Sequence, residues 1–575
     1  MPFGAGFLPG GEARFRLWAP ECERVGLELD GSESPLPLTP LDGGWHELTT
    51  RAAKPGARYR FVLADGTRVP DPASRYQPDD VYGASELIDP RSWEWRDEGW
   101  AGRPWEEAVI YELHVGAFTP EGTFAAAIAK LDHLVSLGIT AIEIMPVGDF
   151  PGTRNWGYDG VLPYAPDSSY GRPENLKALV AAAHARGLMV FLDVIYNHFG
   201  PDGNYLSLYA PQFFTGRHKT PWGAAINYDG PHSRPVREFA IHNALYWIEE
   251  FHLDGLRLDA VHAIADDSAV DILQELAERV HAAAGARQVH LVLENDRNEA
   301  RRLARDAEGQ PRWYTAQWND DVHHVLHTAA TGESESHYGA YLGDPKKLGG
   351  ALAEGFVRAR GERSGHLPPS AFVAFIQNHD QIGNRAIGDR LRAVTSPAAL
   401  RAVAAAYLLL PQIPMLFMGE EWNAAQPFPF FSDFGPDLAE AVRKGRREEF
   451  PEHRGEVPDP QAYGTFASAK LQWEDLKEPA HRDWLDWYRR ILGVRRDAIV
   501  PELPGIAGCA GVFEVAGDGA VVVRWRLRAG ELTLAANLSD VPVAGFPASP
   551  ATVYWQEGHA GGDGVFGPWT VRWSA

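Results

Sequence analysis

Apolar and polar residues alternate with period two in several short runs of the first 95 positions. Examples are Phe15-Arg-Leu-Trp18, Val25-Gly-Leu-Glu-Leu29 and Tyr59-Arg-Phe-Val-Leu63, separated by Gly, Pro and Asp. That pattern predicts a β-sandwich over residues 1–95. A Trp-rich connector over 96–105 follows, and from residue 106 the rhythm changes. Apolar runs at 109–115, 141–145, 189–195, 254–261, 289–294, 313–317, 371–376 and 413–418 predict strands. Between them lie stretches of helical spacing, such as 124–137 ended by Gly138 and 175–186 ended by Gly187. Eight strands alternating with helices predict an α/β fold, a closed (β/α)8 TIM barrel over 106–498. The alternative, an open doubly wound sheet, lacks its Gly-rich phosphate loop after the first strand. An amphipathic helix over 482–497 closes the barrel. Runs such as Gly519-Ala-Val-Val-Val-Arg-Trp525 then predict a C-terminal β domain over 499–575.

Two long insertions interrupt the barrel pattern. Residues 199–235 carry Tyr205, Tyr209, Phe213, Phe214, Trp222 and Tyr228 among Gly, Pro and Asn, which predicts a binding lid. Residues 421–460 begin near Pro427-Phe-Pro-Phe-Phe431 and continue as a charged, solvated helix and loop. Trp18, Trp45 and Tyr59 in the N-terminal domain are either core residues or a sugar-binding platform.

Composition narrows the partners. The 575-residue chain has a net charge of −23, which argues against nucleic acid, since that binding draws on clustered Lys and Arg. The 2 cysteines, Cys22 and Cys509, offer neither a disulfide framework nor a metal cluster and are expected to be buried free thiols. The N-terminal residues do not read as a signal peptide, and no run reaches the roughly 20 apolar residues of a membrane span, so a cytoplasmic location is expected. The 19 Trp and 19 Tyr favour a sugar as ligand.

The candidate chemistry sits at strand ends. The third predicted strand ends Asp193-Val-Ile-Tyr-Asn-His198, the fourth carries Arg257, Asp259 and His262, the fifth stays apolar until Glu294, and the seventh ends Gln377-Asn-His-Asp380. An Arg two positions before an Asp shares its strand face, where the cation favours an ionised carboxylate. One such pair alone reads equally as a surface ion pair. Charged groups at the C-terminal ends of successive barrel strands read as an active site.

These stretches, DVIYNH, GLRLDAVH, LVLEN and QNHDQ, resemble in order the motifs of the α-amylase superfamily of glycoside hydrolases. The resemblance implies Asp259 as nucleophile, Glu294 as general acid and base, and Asp380 as the carboxylate that stabilises the transition state. It implies His198, His379 and Arg257 as sugar-holding residues, Tyr158 as the stacking tyrosine, retention of configuration, and two carboxyls about 5–5.5 Å apart. Asp193 either contacts sugar or braces Arg257. Asp296 and Glu299 are rivals for the acid but lie beyond the strand end. Asn197 matches a position that often helps to bind calcium in amylases, yet no carboxylate set beside it makes a metal necessary, and no cofactor is expected. Where many amylases carry Lys-His after the nucleophile, this chain has His262-Ala263, so the leaving side differs.

Within the superfamily, the runs 145–160, 293–298 and 375–391 look most like the maltooligosyltrehalose trehalohydrolases. That likeness implies cleavage of the α-1,4 bond next to a terminal trehalose, with His262 and the aromatic lid shaping the leaving side. The expected partner is an oligosaccharide, an α-glucan ending in trehalose, met by a monomer. Glycogen branching enzyme is the alternative within the superfamily. A non-catalytic glucan-binding barrel is the alternative from another class, and the presence of all three acids speaks against it.

Overall fold

The computed structural model describes the chain apart from residues 221–222, 358–363, 452, 454, 529 and 549–551. Eight strands close a barrel in sequence order. They are β1 (Ile110–Leu113), β2 (Ala141–Ile144), β3 (Met189–Val194), β4 (Gly255–Leu258), β5 (His290–Leu293), β6 (Ala316–Trp318), β7 (Phe372–Ala374) and β8 (Ile413–Phe417). Every neighbouring pair is parallel, including β1 with β8. Strands buried on both faces are near-continuously apolar, which is why these runs stand out in the sequence. Gly255 opens β4 because a Cβ there would lie 2.3 Å from the His290 carbonyl oxygen and 2.7 Å from the Phe191 ring. The fourth strand stops at Leu258, short of the expected 261, because Ala260 turns into the left-handed region at φ 38°.

The helix expected over 124–137 forms as two, Phe124–Ile128 and Leu131–Leu137. Between them Ala129 N and Lys130 N bond to carbonyls three residues back, tightening the chain out of α geometry. Gly138, at φ 104°, ends the second helix as a left-handed cap.

The N-terminal residues form a four-stranded and a five-stranded sheet. Phe15, Trp18, Tyr59 and Phe61 are buried between them, so Trp18 and Tyr59 are core residues and form no exposed sugar platform. This unit packs tightly on the barrel. Trp18 meets Phe213 edge to face at 5.4 Å, Phe3 meets Phe239 at 5.2 Å, and Arg75 pairs at 2.9 Å with Glu250 at the end of the helix Ser233–Glu250.

The expected lid is corrected by that contact. Residues 199–235 hold a short helix, Leu206–Tyr209, and a hairpin of Phe214–Thr220 with Gly223–Ile226. Tyr209 and Phe213 are buried, with Phe213 wedged between Trp18 and Phe239 and the Tyr209 carbonyl accepting from the Glu21 amide, so these two fill the junction with the N-terminal sheets, while Tyr228 is buried against the barrel with its hydroxyl on the Tyr196 carbonyl. Trp222 lies outside the described residues. In the second insertion Phe428 and Phe431 are buried and the charged helix Pro436–Glu449 is largely exposed. Cys22 is half-buried and Cys509 exposed, contrary to the expected burial of both.

The closing helix runs Pro479–Val494, and beyond it a five-stranded antiparallel sheet carries the predicted C-terminal runs as Ala520–Arg526 and Glu531–Asn537. Trp573 on its strand Thr570–Ser574 donates to the Ala405 carbonyl at 2.8 Å, tying this sheet to the barrel. Among the described residues no helix is long and apolar enough to cross a membrane.

Candidate active site

Arg257, buried in mid-β4, organises the C-terminal rim. Its Nη1 donates to Asp193 Oδ2 at 2.6 Å and Asp259 Oδ1 at 2.7 Å, and its Nη2 lies 3.0 Å from Glu294 Oε2. The parallel register sets Asp193 of β3 directly beside Arg257. Trp318, closing β6, lies under the guanidinium, whose carbon is 4.1 Å from the ring centroid. One cation thus gathers three acids from three strand ends. Asp193 braces Arg257, one of the two roles expected of it.

The two central carboxyls differ in surroundings. Asp259 accepts from Arg257 and, at 3.1 Å, from Asn197 Nδ2, both fitted to a carboxylate. Glu294 accepts at 2.7 Å from the amide of Ala260, whose left-handed backbone turns that N–H inward. Burial drives the Glu294 pKa well above the ordinary glutamate value, Arg257 opposes the shift, and the charges of Asp259 and Asp380 add to it. A carboxyl so placed holds its proton to higher pH than a free glutamate does.

Tyr158 reaches the site from a tight turn after β2. Gly157 sits at φ 103° with its Cα so near Pro146 that a Cβ would lie 2.1 Å from that carbonyl oxygen. The Tyr158 hydroxyl is 2.6 Å from Asp193 Oδ2 and 2.8 Å from His379 Nε2, and its ring stacks on that imidazole at 5.1 Å. His198 is fixed by Asn197 Oδ1 at 2.7 Å and the Tyr158 carbonyl at 2.9 Å. His379 and Asp380 open the short helix His379–Gly383, capped by Asn378, and Asn384 Nδ2 donates to Asp380 Oδ1 at 2.6 Å.

The structure therefore links Tyr158, His198, Arg257, Asp259 and His379 in one hydrogen-bonded set that Glu294 joins by its ion pair with Arg257, with Asp380 next to His379. His262 stands at its edge, partly exposed, 3.5 Å from exposed Asp296. Glu299 is drawn away by Arg301 at 3.4 Å.

Sequence reasoning missed Glu112 of β1 and Glu143 of β2, both buried in the barrel interior. Glu112 accepts from the backbone N and Nδ1 of His379, at 3.0 and 2.5 Å. The available signal was a lone acid inside each otherwise apolar run. It also missed Asp320, after β6, whose pKa burial and the nearby Asp380 and Asp321 push to about 7. As for metals, Asn197 spends its amide on Asp259. His218, Asp229 and Asp267 lie close enough to share a cation, but Arg217, 3.2 Å from Asp229 and 3.9 Å from Asp267, already supplies a positive charge there.

Comparison with known proteins fits this geometry. A model of the alpha amylase catalytic domain matches residues 78–210, and a domain of unknown function matches 510–573. The malto-oligosyltrehalose trehalohydrolase of Deinococcus radiodurans is 44% identical over 516 residues, covering 86% of this chain and 83% of that protein. The chain belongs to the malto-oligosyltrehalose trehalohydrolase family. It is accordingly a glycoside hydrolase of the α-amylase superfamily. The trehalohydrolase of Mycobacterium tuberculosis is 42% identical over 92% of this chain and 94% of its own length. A Nitrosococcus oceani branching enzyme aligns at 30% identity over only 47% of this chain and 42% of its own. A crystal structure from Salmonella typhimurium carrying an alpha-amylase name superposes on this trehalohydrolase-family chain with TM-score 0.95 at 45% identity, covering 100% of this chain and 99% of that one.

Proposed function

We propose that the protein cleaves the α-1,4 bond next to the terminal trehalose of maltooligosyltrehalose, releasing trehalose and a maltooligosaccharide with retention of configuration. In this reading Asp259 attacks the anomeric carbon while Glu294 protonates the departing trehalose oxygen. Glu294 then takes a proton from water, which hydrolyses the glycosyl-enzyme. Asp380 stabilises the oxocarbenium-like state, Tyr158 stacks on the sugar at the scissile bond, and His198, Arg257 and His379 hold its hydroxyls. His262, at the edge of the site beside Glu294's strand end, contributes to the trehalose side. The buried junction aromatics are left out of that role.

The observation that carries the reading is the Arg257 guanidinium shared between Asp259 at 2.7 Å and Glu294 at 3.0 Å, with burial raising the pKa of Glu294. A retaining pair must reach one anomeric carbon from both sides of the bond, and two carboxyls on one guanidinium suit that span. The relatives' names support the trehalose specificity. The domain limits drawn at 95, 106 and 498, a cytoplasmic location and a monomeric state belong to the same proposal, in keeping with two free thiols.

Incubation with maltooligosyltrehalose and, separately, with amylose tests it. Free trehalose from the first is the expected product. New α-1,6 branches from amylose, with no trehalose released, would replace this reading with a branching enzyme.

A further inference from the structure

We propose that Glu112 is a positioning residue that holds His379 as a doubly protonated imidazolium with its Nε2–H aimed at the sugar pocket. One hydrogen-bonded chain, from Glu112 through His379 and Tyr158 to Asp193, fixes where each proton lies. Both Glu112 oxygens are occupied by His379, Oε1 at 2.5 Å from Nδ1 and Oε2 at 3.0 Å from the backbone N, and both residues are buried. A carboxylate only accepts, so Nδ1 carries a proton. On the other side of the ring, Nε2 is 2.8 Å from the Tyr158 hydroxyl, which is itself 2.6 Å from Asp193 Oδ2. That same Asp193 oxygen accepts from Arg257 at 2.6 Å; burial raises the Asp193 pKa only to about 6 against that guanidinium, so at neutral pH it is a carboxylate and the tyrosine donates to it. Tyr158 has one proton and has spent it. Only a lone pair faces His379, so Nε2 carries a proton as well.

The electrostatics agree. Burial works against a charged imidazole, but the charge and hydrogen bond of Glu112 and the charge of Asp380 outweigh it and raise the His379 pKa, with Arg257 opposing. The groups facing the imidazole are Glu112 from β1, His114 after β1, Tyr158 after β2, Asp193 from β3, Arg257 from β4, the Trp318 ring from β6 and Asp380 beside His379 itself; burial lowers the His114 pKa to about 4, so its ring is neutral and adds no opposing charge. Glu143 of β2 does not compete for the cation. Burial and the nearby Glu112 drive its pKa far up, and its Oε2 has no hydrogen-bond partner, as a neutral acid tolerates better than a carboxylate. When a sugar enters, the Nε2–H passes from Tyr158 to a hydroxyl, and Glu112 keeps the ring from turning as it does so.

The test reads histidine ring resonances by NMR on the full protein without substrate, the His379 signal being the one lost in His379→Gln. Wild type is expected to show an imidazolium that persists above the ordinary histidine range, and Glu112→Gln a ring that is already neutral at pH 7. A neutral His379 in wild type at pH 7 overturns the proposal, and this arm stands even where Glu112→Gln does not fold. The kinetic arm rests on the trehalohydrolase reading. Glu112→Gln should lower kcat/KM on maltooligosyltrehalose by about 10–100-fold, as loss of a partner that orients a histidine does. Combining it with His379→Gln should cost no more than His379→Gln alone, and losses that multiply would show that Glu112 does not act through His379. Inactivity of wild type on this substrate would count against the reaction and leave the charge assignment to the resonance.

Discussion

Asp254 and Asp259 stand at opposite ends of one strand, β4, and their fates differ. Asp254, at the N-terminal end, is completely buried, and its oxygens are filled by Trp100 Nε1 at 2.7 Å, His184 Nε2 at 3.0 Å and the Val190 amide at 2.9 Å, with Arg287 at 3.6 Å. Asp259, at the C-terminal end, accepts among the described residues only from Arg257 and Asn197 and keeps 11% of its side chain open to the cleft. A carboxylate held by three hydrogen bonds with an arginine beside it fastens the floor of the barrel. One with a lone pair left over can react. Satisfaction, more than burial or charge, separates the two.

Substitutions at the two ends sharpen the contrast. Asp259→Ala should reduce kcat/KM by about 10⁴-fold or more while oligosaccharide binding remains measurable, because it removes the attacking group and little of the fold. A mutant with near wild-type turnover would remove the nucleophile from Asp259. Glu294→Gln should cost about 10²–10⁴-fold, the usual range for a general acid–base group. Its pH profile says more. The acid must be protonated and its pKa is raised by burial, so wild-type activity should be present at neutral pH and fall as pH rises through that value. The glutamine variant should lose this alkaline limb; a profile with the limb unchanged would assign it to another group.

At the opposite end, Asp254→Ala should leave the kcat/KM of folded protein unaltered and lower stability by ~3–5 kcal/mol, since it strands buried donors that faced one carboxylate. Calorimetry alongside kinetics would expose the error if activity, and not the melting temperature, moved. The smallest effect is expected for His262→Ala. A lost hydrogen bond of about 0.5–1.5 kcal/mol should raise KM for maltooligosyltrehalose and not for plain maltooligosaccharide. Equal losses on both would take His262 off the trehalose side.

The same contrast explains what the sequence made legible. Barrel strands buried on both faces leave apolar runs, and the acids at their ends break those runs abruptly, so β4 with Asp259 and β5 with Glu294 could be found by inspection. Glu112 and Glu143 break their runs in the middle, where period-two reading accepts a polar residue as an outward position. Trp318 reads as one more apolar residue. Ala260 turns left-handed with no glycine to announce it. The aromatics of 199–235 were misplaced because a loop's composition says that it is buried against something, but not whether that is a ligand or the N-terminal sheets.

Arg75 gives that last contact a consequence for how the molecule is divided. Its guanidinium binds Glu250 through Nε and Nη2 and the Ala5 carbonyl through Nη1, and Lys177 closes the far side of Glu250 at 3.6 Å. A barrel expressed alone from residue 106 would keep Glu250 and Lys177 without that clasp, and would bare Phe213 and Phe239. The leading segment is the outer wall of the enzyme's second and third strand–helix units, and a change of rhythm in the sequence is no guide to where the chain can be cut.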